Sequence, residues 1–231
     1  MLASFFSGID KLWHPPRKMQ SPVSERQAHW EKIYDRNSPR EVSWYQSEPA
    51  LSMRLIRQTQ IAKDAPIIDV GGGASRLVDN LLDSDYSNVS VLDISASALM
   101  HASERLARKS AEVEWYNEDI VGFNPSHRFA LWHDRAVFHF LTSRNDRHNY
   151  VRALKRSLEP GGHVIIMTFA VGGPLKCSGL EIVQYDADKL TAELGQDFKL
   201  LETGHEEHAT PAGGKQQFAW FRLIRTTKAI S

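Results

Sequence analysis

Residues 67–76 read IIDVGGGASR, a short apolar run that leads directly into three consecutive glycines. The run predicts a buried strand, and the glycines predict a tight turn whose backbone a ligand can approach closely. A helix is expected next, because Leu77, Val78, Leu81 and Leu82 recur at the spacing of one helix face. The first turn of such a helix presents unpaired N–H groups to the loop before it. The stretch therefore predicts a ligand site at the end of a strand in an α/β protein.

The rest of the chain alternates strand and helix patterns, as βαβ units do. Further strands are predicted at 89–93, 113–116, 129–132 and 163–169, with helices at 95–108 and 143–158 and a turn at 159–162. A helix at 186–194 is then followed by strands at 198–201 and 217–224, joined by a polar segment that suits an antiparallel hairpin. The predicted fold class is α/β: a doubly wound, mostly parallel seven-stranded sheet with an antiparallel C-terminal hairpin and helices on both faces.

The segment before this sheet divides into two predicted parts. Residues 1–23 are rich in proline and are interpreted as a flexible lead-in without a secretory signal. Residues 24–60 are interpreted as a helical segment, in which Ser24 caps the first of two helices. Residues 61–231 then form the main domain.

The composition and charge of the chain exclude several classes of function. The 231 residues carry 28 Lys and Arg against 28 Asp and Glu, so there is no basic surplus for a general role on nucleic acid. No run approaches the ~20 apolar residues of a membrane span. Cys177 is the single cysteine, which excludes an internal disulfide and is compatible with a reducing compartment. We therefore expect a cytoplasmic protein with neither a nucleic-acid nor a membrane partner.

Two acidic residues indicate what the glycine turn binds. Asp93 lies twenty residues after Gly73, at the end of the second predicted strand, where a carboxylate can accept hydrogen bonds from a ribose diol. Asp69 ends the first strand and would repel a phosphate but attract an ammonium or a sulfonium. A dinucleotide fingerprint would also need glycine where Arg76 stands. S-adenosylmethionine (SAM) has both cationic groups and no phosphate, so the charges favour SAM over NAD.

Four segments in order resemble the motifs of the class I SAM-dependent methyltransferases, the seven-β-strand, Rossmann-like family. They are IIDVGGGAS at 67–75, VLDIS at 91–95, NEDI at 117–120 and LEPGGHVII at 158–166. The resemblance covers about residues 66–224, so residues 61–231 are identified as the methyltransferase domain. It implies a SAM-dependent methyltransferase with SAM as the cofactor. No metal is expected, because nothing in the sequence brings the possible ligands Cys177, His205 and His208 together.

The resemblance also implies roles for individual residues. The acidic side chain of Asp119 would meet the adenine amine, and the N-terminal helical segment at 24–60 would act as a lid that covers the cofactor with an aromatic wall. The cofactor-binding residues expected on these grounds are Asp69, Gly71, Gly72, Gly73, Asp93, Ile94, Asp119, Ile120, Trp44 and Tyr45.

The acceptor side is expected where the fourth strand ends, in Trp132–Arg135. Methyl transfer is an in-line displacement, and a hydroxyl or ammonium acceptor must first lose a proton. His133 and Asp134 are the candidate catalytic residues for that step. The residues after this strand resemble those of small-molecule methyltransferases, and the Asp-Lys-Gly-Thr stretch typical of lysine methyltransferases is absent.

Several functions stay open on the sequence alone. The first hypothesis is methyl transfer to a small molecule, and the second is methyl transfer to a protein side chain, namely that of a lysine. The GGGAS loop favours the second, because it resembles a variant found among elongation-factor lysine methyltransferases. A non-catalytic SAM-binding module is a third possibility and an NAD-dependent oxidoreductase a fourth. The acceptor and the oligomeric state are not determined by the sequence.

Overall fold

Two helices precede the sheet in the computed structural model, which describes residues 24–227. Helix α1 spans Glu25–Arg36, and the Ser24 hydroxyl accepts a hydrogen bond from the Gln27 amide, as its cap position predicts. Helix α2 spans Ala50–Gln58 and buries one face against the sheet. The predicted lead-in, residues 1–23, lies outside the described residues.

Strands and helices then alternate as predicted. The strands are β1 Ile67–Val70, β2 Val89–Asp93, β3 Val113–Asn117, β4 Phe129–Arg135, β5 Leu158–Phe169, β6 Lys176–Cys177, β7 Leu180–Glu181, β8 Phe198–Ala209 and β9 Lys215–Arg225. The helices are α3 Leu77–Asp83, α4 Ala96–Leu106, α5 Arg144–Ser157 and α6 Ala187–Leu194, with 3₁₀ helices at Ala107–Glu112 and Phe138–Phe140.

Seven of these strands form one sheet in the order β3-β2-β1-β4-β5-β9-β8. The first five are parallel, and β9 pairs antiparallel with both β5 and β8. The predicted fold class is therefore confirmed. Strand order reverses between β1 and β4, and such a switch point opens a crevice at the carboxyl ends of the strands.

Three local details differ from the sequence prediction. The predicted turn at 159–162 is a bulge within β5, because Phe129 pairs with Leu158 whereas Leu131 pairs with His163. Strand β8 has twelve residues, since pairing with β9 extends it far beyond the apolar run that predicted it. The short hairpin of β6 and β7 has no strong pattern in the sequence and was not predicted.

Two apolar layers enclose the sheet. One includes Leu55, Leu81 and Leu99 from α2, α3 and α4, and the other includes Leu154 and Leu190 from α5 and α6. Alternate residues of each central strand enter opposite layers, which explains why these strands are apolar throughout. Within residues 24–227, no helix has the length and apolar character needed to cross a lipid bilayer.

Candidate active site

Two adjoining hollows open at the carboxyl ends of β1, β2 and β4. The larger one, here called the main cleft, contains about 750 Å³ of empty space, part of it open to solvent, and its lining includes Gly71, Asp93, Ile94, Asp119, Ile120 and Trp44. The second, here called the side cavity, contains about 540 Å³, and its lining includes Tyr45, Asp69, Gly72, Ser75, Arg76 and His133. Tyr34, Trp44, Gly71 and Arg135 border both hollows.

The glycine turn brings its backbone against the two key carboxylates. Gly73 has φ +36°, and a Cβ there would lie 2.5 Å from Asp93 Oδ2. A Cβ on Gly72 would lie 2.6 Å from Asp69 Oδ2. Any side chain at either position would displace a carboxylate. The glycines are therefore required by the fit of this turn, as well as by the approach of a ligand. Gly73 itself lines neither hollow, so its predicted contact with the cofactor stays a prediction.

Asp93 is a buried carboxylate at the edge of the main cleft. Its Oδ1 accepts a hydrogen bond of 2.9 Å from the Ser95 amide at the start of α4. Only 8% of the residue is exposed. Burial raises the pKa of Asp93 to about 7, and the negative charges of Asp69 and Glu31 add to the effect. Hydroxyl groups of a ribose would supply the donors that this charge needs.

Asp69 and His133 form a buried pair that also includes Ser52. His133 Nδ1 lies 2.7 Å from Asp69 Oδ1, and His133 Nε2 lies 3.0 Å from the Ser52 hydroxyl oxygen. Both ring nitrogens are therefore engaged within the protein. The other carboxylate oxygen, Asp69 Oδ2, is buried and has no hydrogen-bond partner among residues 24–227. His133 thus orients Asp69, and Asp69 keeps one acceptor free.

Asp134 points to the opposite face of the sheet from His133, because consecutive residues of a strand alternate in direction. It is fully buried and accepts hydrogen bonds from the Tyr150 hydroxyl at 2.6 Å and from the Val137 amide at 2.9 Å. Burial raises its pKa to about 6. Asp134 lines neither hollow, so the structure does not bring the two predicted catalytic residues together. Their predicted role as bases remains untested.

Asp119 lies in the main cleft and already has a cationic partner. Both of its carboxylate oxygens accept from Arg26 Nη1 at 3.1 Å, and Arg26 Nη2 also bonds to Asp146 at 2.6 Å. An adenine amine would have to share Asp119 with this guanidinium. Ile94 and Ile120 line the same region and offer apolar surface for a flat ring.

Residues from the segment 24–60, which was predicted to act as a lid, line one side of the main cleft. Trp30 of α1 contacts Trp44 edge to face at 5.7 Å and Phe140 at 5.0 Å between ring centroids. Trp44 therefore belongs to a cluster of aromatic rings that lines the main cleft, here called the aromatic wall, and its contact with the cofactor stays a prediction. Tyr45, its predicted companion, lines the side cavity only.

Sequence reasoning missed several lining residues, among them Arg26, Trp30 and Tyr34. The lid residues are distant in the chain and follow no motif. Arg135 lies in the segment Trp132–Arg135 that was expected on the acceptor side, but the sequence assigned no individual role to it.

Residues 67–162 match a family described as "Methyltransferase domain". The chain is also similar to EEF1A lysine methyltransferase 2 of mouse, with 24% identity over 155 residues, which are 60% of this chain and 63% of the relative. The human protein of that name shows 26% identity over 192 residues, which are 75% of this chain and 74% of the relative. The alignment thus spans less than two thirds of the mouse protein.

Solved structures share the fold at low sequence identity. One of them comes from work on the conversion of a disulfide bond into a thioacetal group during echinomycin biosynthesis. It superposes with a TM-score of 0.73 at 15% identity, and the match covers 89% of this chain and 94% of that chain. The N-methyltransferase NodS of Bradyrhizobium japonicum, in complex with S-adenosyl-L-homocysteine (SAH), has a TM-score of 0.65 at 16% identity, covering 85% of this chain and 98% of its own.

Proposed function

We propose that this chain is a SAM-dependent methyltransferase of class I and that it transfers the methyl group to a small-molecule acceptor. The proposal rests chiefly on the aromatic wall of the main cleft. Trp30, Trp44 and Phe140 come from three separate segments and meet edge to face. A wall of this kind excludes water and leaves room for a compact, partly apolar acceptor.

The residues of the two hollows fit SAM in chemistry. Asp69 Oδ2, which is buried and unbonded within residues 24–227, suits an ammonium, and Asp93 suits a ribose diol. In the side cavity, the Arg76 Nε atom is likewise buried without a partner in that range and suits a carboxylate. When bound, SAM supplies an electrophilic methyl group on a sulfonium.

In this proposal the chain itself acts mainly by holding and shielding. His133 keeps Asp69 in one orientation, and Ser52 fixes the far side of the imidazole. The lid aromatics shield the cleft from water, which strengthens every charge interaction inside it. Placing two reactants in line can supply most of the rate enhancement of a displacement reaction.

A lysine side chain of a protein is the second candidate acceptor. The similarity to EEF1A lysine methyltransferase 2 favours it, as does the GGGAS loop. The aromatic wall favours the small molecule, because a lysine must reach the cleft from a large partner surface.

Transfer of labelled methyl from SAM into a cell extract separates these candidates. After incubation with the full chain, the extract is divided into protein and small-molecule fractions, and Asp93→Asn serves as the inactive control. We expect label in the small-molecule fraction. Label in the protein fraction alone would establish the second candidate instead. If calorimetry shows SAM binding but neither fraction is labelled, the chain is a binding module.

A further inference from the structure

Arg135 is a half-buried cation that the site described so far does not use. One of its nitrogens, Nη1, donates a hydrogen bond of 2.9 Å to the Trp44 carbonyl oxygen. The guanidinium also packs over the Phe218 ring, 4.6 Å from its centroid. Although the residue as a whole is only half-buried, Nε and Nη2 are shielded from solvent and have no hydrogen-bond partner in the described part of the chain.

Leaving these two donors unpaired is costly. A buried donor without a partner costs about 1–3 kcal/mol, and more when the group is charged. Burial accordingly lowers the pKa of Arg135 to about 10, and the negative charges of Glu206 and Asp69 only partly offset this effect. The guanidinium stays protonated at neutral pH. Glu206 is the strongest opposing charge, but its buried oxygen Oε2 also has no hydrogen-bond partner in the described residues, so it does not satisfy Nε and Nη2, and both donors remain available to a bound anion.

The position of Arg135 shows where that anion would lie. The residue borders both the main cleft and the side cavity, together with Trp44 and Gly71. The ribose partner Asp93 lines only the main cleft, and the ammonium partner Asp69 lines only the side cavity. Arg135 therefore stands between the two ends of the cofactor site, beside the aromatic wall.

We propose that Arg135 binds the carboxylate of the methyl acceptor, and that the acceptor is a small aromatic or otherwise flat apolar acid. This inference rests on the proposed small-molecule function. Nε and Nη2 form one edge of the guanidinium, and two parallel N–H groups match the two oxygens of a carboxylate. Trp30 and Phe140 would contact the flat body of the acid.

The same charge disfavours a lysine acceptor. A lysine ammonium entering the main cleft would approach both the Arg135 guanidinium and the sulfonium of the cofactor. An anionic acceptor is instead attracted to both cations, so this attraction draws it towards the methyl group of the cofactor.

A second source of carboxylate is the amino-acid part of the cofactor itself. Arg76 in the side cavity already offers Nε for that group. The two sources can be separated by measuring cofactor affinity and acid affinity independently.

The test uses calorimetry on the full chain saturated with SAH. The probes are benzoate and phenylacetate, each compared with its neutral amide. We expect each acid to bind about tenfold more tightly than its amide, a difference of about 1.4 kcal/mol. Arg135→Gln should abolish this difference while the SAH affinity changes little, and Arg135→Lys should keep part of it, because the charge remains without the fork.

Arg54→Gln is the matched control. Arg54 also stacks on an aromatic ring of β9, Trp220, at 5.2 Å, but its side chain is 45% exposed and lies outside both hollows. This variant should keep the acid preference of the wild type.

Three results would overturn the proposal: equal binding of acids and amides, no binding of either acid, or a loss of SAH affinity in Arg135→Gln with the acid preference retained. The last would assign the guanidinium to the cofactor's carboxylate. If Arg135→Gln does not fold, the test uses Arg135→Lys alone. A reduced preference for the acids over their amides then supports the proposal, and a fully retained preference contradicts it. Acid binding needs no turnover, so this outcome is independent of the labelling experiment that tests the proposed function.

Discussion

Burial disfavours the charged form of the Asp93 side chain. Its pKa rises from an ordinary value of 3.8 to about 7 in the folded chain. The folded state therefore holds the Asp93 proton more tightly than the unfolded state does. Tighter binding of this proton adds to the free energy of unfolding below about pH 4, and the added stability is lost as the pH rises towards 7. A ligand that donates hydrogen bonds to the carboxylate offsets the free-energy cost of burying its charge.

Asp93→Asn should stabilise the free protein and at the same time weaken its binding of SAM. The amide keeps the acceptor for the Ser95 amide but removes the buried charge, so the free protein should gain on the order of 1–3 kcal/mol in free energy of unfolding at pH 8. SAM affinity should fall about 100-fold, because charged acceptors form the stronger hydrogen bonds. Denaturant titration at pH 5 and pH 8 and calorimetry measure the two effects. A variant less stable than the wild type at pH 8 would contradict this account.

His133 differs from a free catalytic base because both of its ring nitrogens are already hydrogen-bonded. We expect His133→Ala to lower SAM affinity about tenfold, since Asp69 loses its orienting partner. The kcat at saturating SAM should change much less. A general base would behave in the opposite way, with kcat reduced about 10²–10⁴-fold and SAM affinity intact. Steady-state kinetics at several pH values distinguishes these results.

Helix α1 is attached to the sheet domain through a helix N-terminus. Glu31 Oε1 accepts from the Ala96 amide at 2.7 Å, while Oε2 accepts from the Ser97 amide at 3.1 Å and from the Ser95 hydroxyl at 2.9 Å. A carboxylate is favoured there, because the first turn of α4 has free N–H groups and a positive dipole end. This contact fixes the helix that carries Trp30.

Glu31→Ala should loosen the lid without unfolding the domain. We expect SAH affinity to fall about three- to tenfold, as the loss of about 1 kcal/mol of lid contact predicts. Amide hydrogen exchange should accelerate in α1 but not in β4. Lys32→Ala is the matched control, since the neighbouring Lys32 side chain is exposed on the same helix. Unchanged exchange in α1 would show that other contacts hold the lid.

Strand β9 connects the two apolar layers of the whole molecule. Phe221 enters the layer under α5 and α6, whereas Phe218 and Trp220 enter the layer under α2 to α4. The strand also separates β5 from the edge strand β8, so β5 has partners on both sides. Because β9 belongs to both layers, the domain should unfold as one cooperative unit.

Phe221→Ala tests this cooperativity. Removing a fully buried phenylalanine should lower the free energy of unfolding by about 3–5 kcal/mol. Far-ultraviolet circular dichroism and SAH binding should be lost at the same denaturant concentration. The control, Leu201→Ala on β8, should cost under about 1 kcal/mol, since Leu201 is 40% exposed. Separate transitions for secondary structure and SAH binding would show that the layers are independent.

The local pattern determined most of the fold. Apolar runs, the glycine turn at 71–73 and the helix caps depend on neighbours in the chain, so the order of strands and helices was predictable. The carboxyl ends of parallel strands meet at one edge, which is why Asp69 and Asp93 were assigned to one site. The length of β8 was underestimated because pairing, and not its own residues, extends that strand.

Tertiary structure alone decided what the site residues contact. The sequence places His133 and Asp134 side by side, but strand pleating sends one to Asp69 and the other to Tyr150, on opposite faces. Arg26 reaches Asp119 across 93 positions of the chain, and no short-range pattern encodes such a contact. The unpaired donors of Arg135 likewise become visible only when every surrounding group is in place, because burial is a property of the packed molecule.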